Sequence, residues 1–327
     1  MRTVLKLFVV ALLAVGAWLA WGLWLPVKPA GQKFVLLHPG YSTRHIAIEL
    51  NKAGVIRSPR AFLLWHYVAK PKSLKAGEYL FDKSANALQV HERLARGDIY
   101  EHTVTIPEGY NMFDVAAAVE AAGLGSRADF LTVARSSASM VKDVDPEATS
   151  LEGYLFPDTY QFTRTQSMQD IAGVMVRHFR QEAKSIGLTG DVHLIVTMAS
   201  IVEKETAVPA ERPEVASVYY NRLEKRIALD ADPSVIYAAL LAGEYEGALH
   251  HATLQIDSPY NTYKRAGLPP GPIANPGRDS LIAAMHPAQT DYLYFVSDNQ
   301  GHHKFARSLD EHNRNVAAYR RAVSASR

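Results

Sequence analysis

The sequence predicts an α+β protein: an apolar N-terminal helix, then a small βααβ unit, then a larger mixed α+β domain. Three observations lead there. Leu7 to Val27 is a stretch without a charged residue, a segment starting at His38 is echoed by one starting at Pro107, and helical periodicities beyond Asp191 are interrupted by one aromatic-rich strand pattern.

A span from Leu7 to Val27 covers about 30 Å as a helix, the thickness of a hydrocarbon core. Arg2 and Lys6 precede it, Lys28 follows it, and Trp18, Trp21 and Trp24 gather in its far half. Positive charge before the span and interfacial aromatics after its middle predict a single-pass anchor with a cytoplasmic N-terminus and everything after Lys28 outside the cytoplasm. A cleaved signal peptide is the competing reading, but the apolar run is longer than a usual signal core and no small-x-small site closes it.

After the anchor, "HPGYSTRHIAIELNKAGVI" from His38 aligns with "PEGYNMFDVAAAVEAAGL" from Pro107, matching Gly40 and Tyr41 to Gly109 and Tyr110 and Ala53 and Gly54 to Ala122 and Gly123. Farther on, "AGEYLFD" from Ala76 parallels "EGYLFPD" from Glu152. Each copy reads as strand, helix, helix, strand, with a glycine closing the first helix. In the first copy the elements fall at Phe34 to Leu37, Thr43 to Lys52, Ala61 to Ala69 and Glu78 to Phe81. That order resembles the LysM module, and the resemblance implies binding of N-acetylglucosamine-containing glycans; a plain spacer between membrane and catalytic domain is the alternative. A linking helix from Asn86 to Arg96 stops at Gly97.

The chain thus divides into 1–28 (tail and transmembrane helix), 29–106 (LysM-like module and linker) and 107–327 (catalytic domain), residues 107–160 being a second LysM-like repeat. Helices are predicted at Val192 to Thr206, Pro213 to Arg226, Pro233 to Ala242, Ser280 to His286 and Leu309 to Val323, with a strand from Tyr292 to Ser297.

Composition narrows the function. A net charge of +2 over 327 residues, without runs of like charge, argues against a nucleic-acid binder, and the absence of cysteine excludes thiol chemistry and cysteine-ligated metals. The pairs His250-His251 and His302-His303 lack the i, i+4 spacing of a helical zinc site. No cofactor and no metal are expected. The prolines of "GLPPGPIANPG" remove the N–H groups a phosphate cradle needs, so a rigid wall is expected there.

The chemical signal is two acids in an apolar helix, Glu203 and Glu205, following Ile195, Val196, Met198, Ala199, Ile201 and Val202. Burial raises a carboxyl pKa and equips it to donate a proton near neutrality. Three and four residues before Glu203 stand Ser200 and Ala199, small enough to leave space above its carboxylate, whereas Val202 and Ile201 are expected to pack over Glu205. Spacing therefore favours Glu203 as the acid facing a cavity and Glu205 as a structural partner of Lys204, Arg212 or a helix terminus. Periodicity leaves open both a Glu205 acid and simple pairing of buried glutamate with arginine.

The ordered stretches "LEGYLFPDTY", "SIVEKET", "NRL", "DPSVIY", "SPYNTY", "GLPPGPIANPG", "HPA", "DYLYFV", "HKF" and "EHN" are together similar to the endolytic murein transglycosylase family, the YceG-like proteins. The resemblance covers nearly the whole chain. It implies cleavage of the β-1,4 bond between N-acetylmuramic acid and N-acetylglucosamine in nascent peptidoglycan, leaving a 1,6-anhydro end and ending strand elongation. It implies Glu203 as the catalytic acid and peptidoglycan synthases of the elongation or division machinery as partners. Substrate contacts are expected from Glu152, Asn221, Asp232, Tyr260, Asn261 and His303, with loop support as the alternative for each. The family usually carries glutamine and threonine where this chain has Asp230 and Ala231, so Asp230 is a candidate second carboxylate. A hydrolytic muramidase and a non-enzymatic wall-binding scaffold are the alternatives in function.

Overall fold

The computed structural model describes residues 1–69 and 73–325. The chain forms two compact units, Met1–Thr103 with Gln161–Ser167, and Val104–Tyr160 with Met168–Arg327.

The first unit contains α1 (Arg2–Leu23), β1 (Lys33–Leu37), α2 (Thr43–Lys52), α3 (Pro59–Val68), β2 (Gly77–Phe81) and α4 (Ala87–Arg96). The order β1-α2-α3-β2 is the predicted one. β1 and β2 pair antiparallel, Val35 opposite Tyr79, and bury Leu37, Leu50, Phe62, Tyr79 and Leu94 between sheet and helices. Local sequence fixes the helix ends: Ser42 and Ser58 accept the N–H groups of His45 and Ala61, and Asn86 with Gln89 forms a reciprocal capping box. Gly97 closes α4 at φ 80°, where a Cβ is unfavourable.

α1 is long and apolar enough to cross a bilayer, with mean hydropathy 2.2. It starts and ends earlier than the uncharged stretch, because its last turn belongs to the unit's core. Gly22 and Leu23 are buried, and a Cβ on Gly22 would lie 2.8 Å from that of Ala61 on α3.

The order recurs along the chain in β3 (His102–Ile106), α5 (Met112–Ala121), α6 (Arg127–Ser136) and β4 (Asp158–Phe162), β3 pairing with β4. Asn111 and Asp114 form the capping box of α5. Next come α7 (Met168–Ser185), α8 (Val192–Glu205), α9 (Arg212–Glu224), α10 (Asp232–Ala242), α11 (Arg278–Met285), the hairpin of β5 (Tyr294–Ser297) and β6 (His303–Ala306), and α12 (Leu309–Ala325). The fold is thus mixed helix and strand, with small two-stranded sheets. α8 is the axis of the second unit. Val196, Met198, Ala199, Ile201 and Val202 are fully buried, and the helix packs against both α9 and α11.

Candidate active site

The two glutamates at the end of α8 exchange the surroundings expected of them. Glu203, its side chain 5% exposed, accepts from Arg212 Nη2 at 3.0 Å and from the Gly277 N–H at 2.9 Å. Arg212 also reaches Glu108 at 3.5 Å and Asp279 at 3.9 Å, so three carboxylates share one guanidinium. The small residues below Glu203 do not leave a cavity, because the glycine- and proline-rich segment uses that room. Ser200 Oγ accepts the Ile273 N–H at 3.0 Å and donates to Thr197 O at 2.7 Å, while Gly153, at φ 89°, lies against Pro272. That segment packs over the end of α8 at Glu203 and Ser200 and does not line the cavity at Glu205.

Glu205 is the last residue of α8. Thr206 leaves the helix with extended dihedrals, which ends α8 at Glu205. Its Oε1 accepts the phenol of Tyr219 at 2.7 Å. Burial holds its carboxyl up at about 7, opposed by the Tyr219 hydrogen bond and aided by the charge of Asp232.

Glu205 lines a cavity of about 420 Å³ with Tyr219, Arg222, Asp230, Asp232, Tyr263, Tyr294, Phe295 and His312 among its walls. The Arg222 guanidinium is pinned by Ala228 O at 2.7 Å and Leu293 O at 3.3 Å, pairs with Asp230 and lies 5.5 Å from the Tyr294 ring centre. Asp230 sits at φ 51°, a left-handed conformation that aspartate tolerates. Asp232 accepts the Tyr263 phenol at 2.7 Å. Opposite, the His312 ring stacks on Tyr294 at 5.1 Å, and its Nδ1 is buried with no hydrogen-bond partner among the described residues. Burial, reinforced by the Arg222 charge, lowers the His312 pKa.

Of the expected substrate contacts, Asp232 is on this cavity. The other five lie off its walls, each with internal partners. Glu152 is 1% exposed; it accepts the Met112 N–H at 2.9 Å and Asn275 Nδ2 at 3.1 Å, and burial, opposed by the Met112 and Tyr237 hydrogen bonds, raises its carboxyl to about 8. Asn221 donates to Thr290 O and Tyr292 O at 2.8 and 3.0 Å, bracing the approach to β5. Asn261, fully buried, donates to Leu254 O and Ile256 O. Tyr260 packs on Tyr237 with ring centres 5.1 Å apart. His303 bonds Glu211 at 2.7 Å and meets the edge of Phe295 from behind the cavity wall. His302 reaches the same Glu211 carboxylate at 2.9 Å. Tyr219, Arg222, Tyr263 and His312 were not singled out as site residues, although "EHN" contains His312 and "NRL" contains Arg222.

The cavity thus brings together a protonatable carboxyl beside a phenol, a guanidinium, aromatic rings and an imidazole whose Nδ1 has no hydrogen-bond partner among the described residues, groups able to exchange protons and to hold a polar ligand. The chain belongs to the YceG-like family, which it matches over residues 35–318. It is 35% identical over 302 residues to the endolytic murein transglycosylase of Bacillus subtilis (strain 168), covering 86% of this chain and 82% of that protein. The endolytic murein transglycosylase of Streptococcus pneumoniae serotype 2 is 29% identical over 336 residues, covering 90% of this chain and 60% of that longer protein. A crystal structure of a yceG-like protein from Listeria monocytogenes has a TM-score of 0.57 and 34% identity, covering 86% of this chain and 98% of that one. These relatives define an enzyme family of lytic transglycosylases.

Proposed function

We propose that this chain is an endolytic murein transglycosylase, anchored in the cytoplasmic membrane by α1, that cuts the N-acetylmuramic acid to N-acetylglucosamine bond of nascent strands and so ends their elongation. The observation that carries the reading is the Glu205 carboxyl, raised to about 7 on the wall of a 420 Å³ cavity. Glu205 is assigned as the acid in place of Glu203, whose carboxylate is occupied by Arg212 and the Gly277 N–H.

A glycosidase ordinarily needs two carboxylates, but a transglycosylase recruits the C6 hydroxyl of the same sugar as nucleophile. One acid then suffices. Glu205 protonates the leaving glycosidic oxygen; as a carboxylate, restabilised by the Tyr219 phenol, it takes the proton of the C6 hydroxyl while that oxygen closes on C1. Asp230 and Asp232 are engaged by Arg222 and Tyr263 and are read as support for the sugar and for the cationic transition state. The βααβ unit is read as a LysM-like glycan-binding module, and peptidoglycan synthases are the partners expected of a membrane-anchored enzyme of this kind.

The test is mass spectrometry of glycan strands treated with wild type, Glu205→Gln and Glu203→Gln. Anhydro-ended internal fragments from wild type and from Glu203→Gln, and none from Glu205→Gln, are expected. Reducing ends from wild type point instead to a hydrolytic muramidase with Asp232 activating water. No fragments from folded wild type point to a wall-binding scaffold. Loss in Glu203→Gln with retention in Glu205→Gln returns the acid to Glu203.

A further inference from the structure

The membrane-proximal end of the first unit carries a basic cleft that the reaction does not use. The uncharged part of α1 before Gly22, residues 7–21, covers roughly 22 Å at 1.5 Å per residue, and Arg2 and Lys6 extend the helix to the opposite interface, where long cations reach the headgroups. Because Gly22 and Leu23 are buried in the folded unit, lipid contact ends near Trp18 and Trp21, which are 38% and 44% exposed. Those tryptophans mark headgroup depth.

At that depth lies a cavity of about 430 Å³ lined by Trp18, Trp21, Arg44, Arg57, Arg60 and Leu63, with no acidic side chain on its walls. Among the described residues Arg57 is held by neutral groups: Nη2 donates to Pro26 O at 3.0 Å, Nε to Leu25 O at 3.4 Å, and the guanidinium lies 5.7 Å from the Trp21 ring centre. Its charge is therefore oriented but not neutralised. Arg44 and Arg60 are exposed and make no ion pair among the described residues, and Glu49, on the same helix as Arg44, is taken by Lys52 at 2.8 Å and His45 at 3.6 Å. Three arginines line one cavity, and a guanidinium fork matches phosphate oxygens two at a time.

We infer that this cleft binds the phosphodiester headgroup of an anionic glycerophospholipid of the outer leaflet, its acyl chains running down the apolar side of α1 past Trp18. The inference rests on the anchor reading of α1. Binding fixes the folded unit against the membrane surface and so sets the orientation of the βααβ unit relative to the bilayer.

The experiment is native mass spectrometry of the full chain in non-ionic detergent, titrated with phosphatidylglycerol, phosphatidylcholine or inorganic phosphate. Wild type is expected to hold phosphatidylglycerol in preference to the other two, and Arg44→Gln/Arg60→Gln to lose roughly thirtyfold in that affinity through removal of two headgroup-level charges. Both positions are exposed, and an unchanged melting curve verifies the fold. Equal binding of the two lipids, inorganic phosphate competing as well as phosphatidylglycerol, or an undiminished adduct on the double variant overturns the site. Alkaline extraction of membranes tests the anchor separately: release of the chain sinks both readings, whereas a retained chain without a selective adduct sinks the lipid site alone.

Discussion

The phenol of Tyr219 on α9 donates to the carboxylate of Glu205 on α8 at 2.7 Å, tying the tip of a largely buried helix to the wall of the cavity. This hydrogen bond favours the ionised acid, whereas burial favours the protonated one, and burial prevails to leave the carboxyl at about 7. An acid catalyst must begin protonated, so kcat/KM should fall as pH rises through that value. Removing the phenol in Tyr219→Phe takes away a pKa-lowering partner, so the alkaline limb should move to higher pH while the maximum rate drops. A pH profile of anhydro-product formation checks both; an unmoved limb would detach Tyr219 from the catalytic acid.

Arg212 is the only cation that the structure places on Glu203 among the described residues, and both side chains are nearly inaccessible, 7% and 5% exposed. Arg212→Ala leaves a buried carboxylate unpaired, which costs about 3–5 kcal/mol. Replacing both partners, as Arg212→Met with Glu203→Leu, should recover a large part of that loss, because the pair itself pays a desolvation cost. Urea unfolding of the two variants is the measurement. Comparable stability of Arg212→Ala and wild type would show that Glu203 finds another cation or takes up a proton at no cost.

Much of the architecture was legible because the chain punctuates itself. Thr43 to Lys52 is delimited by Ser42 and by the turn at Gly54, and the helix after Asn86 by its capping box and Gly97, so those helices match the periodicity within a residue. The repeated strand-helix-helix-strand order was visible in paired Gly-Tyr and Ala-Gly positions. α7 was not read, although its buried Ile171, Met175 and Phe179 do repeat at helical spacing, and the short strand β6 was hidden beside the turn signals around Gly301. The site was legible to the level of the segment but not of the residue. Whether Glu203 or Glu205 faces the cavity depends on Arg212, nine residues beyond Glu203 and outside α8, on Gly277 and the 267–277 segment, distant in sequence, and on Glu205 being the last helical residue. An i−3, i−4 count along one helix carries none of that information.

His312 offers a second probe of the cavity. Its Nδ1 is buried without a partner among the described residues, a state that costs free energy until a ligand supplies a hydrogen bond. The ring also stacks on Tyr294, so His312→Phe should keep the packing and lose only the polar atom. KM for glycan strands should then rise several-fold, in line with the roughly 1–3 kcal/mol attached to an unsatisfied polar group, with kcat less affected. Steady-state kinetics decide it, and a variant with wild-type KM removes His312 from the substrate site.

Glu152 gives the clearest link between pH and stability. Its carboxyl is 1% exposed, and burial raises it to about 8 from an ordinary 4.5. Below about 4.5 the folded and unfolded chains both hold the proton. Between that point and about 8 the unfolded chain has released it while the folded chain retains it, so the unfolded state binds fewer protons and stability falls as pH rises. The slope from this one group is at most about 1.4 kcal/mol per pH unit. Above the folded value both states are ionised and the slope vanishes. Glu152→Gln cannot ionise, yet its carboxamide oxygen still accepts the Met112 N–H and Asn275 Nδ2 that Glu152 accepts now. The variant should therefore lack this slope: if it is less stable than wild type at pH 5, the gap should narrow or reverse by pH 8. Thermal melts of both proteins at several pH values across that window test it, and a gap that stays constant means that Glu152 is ionised in the folded state throughout.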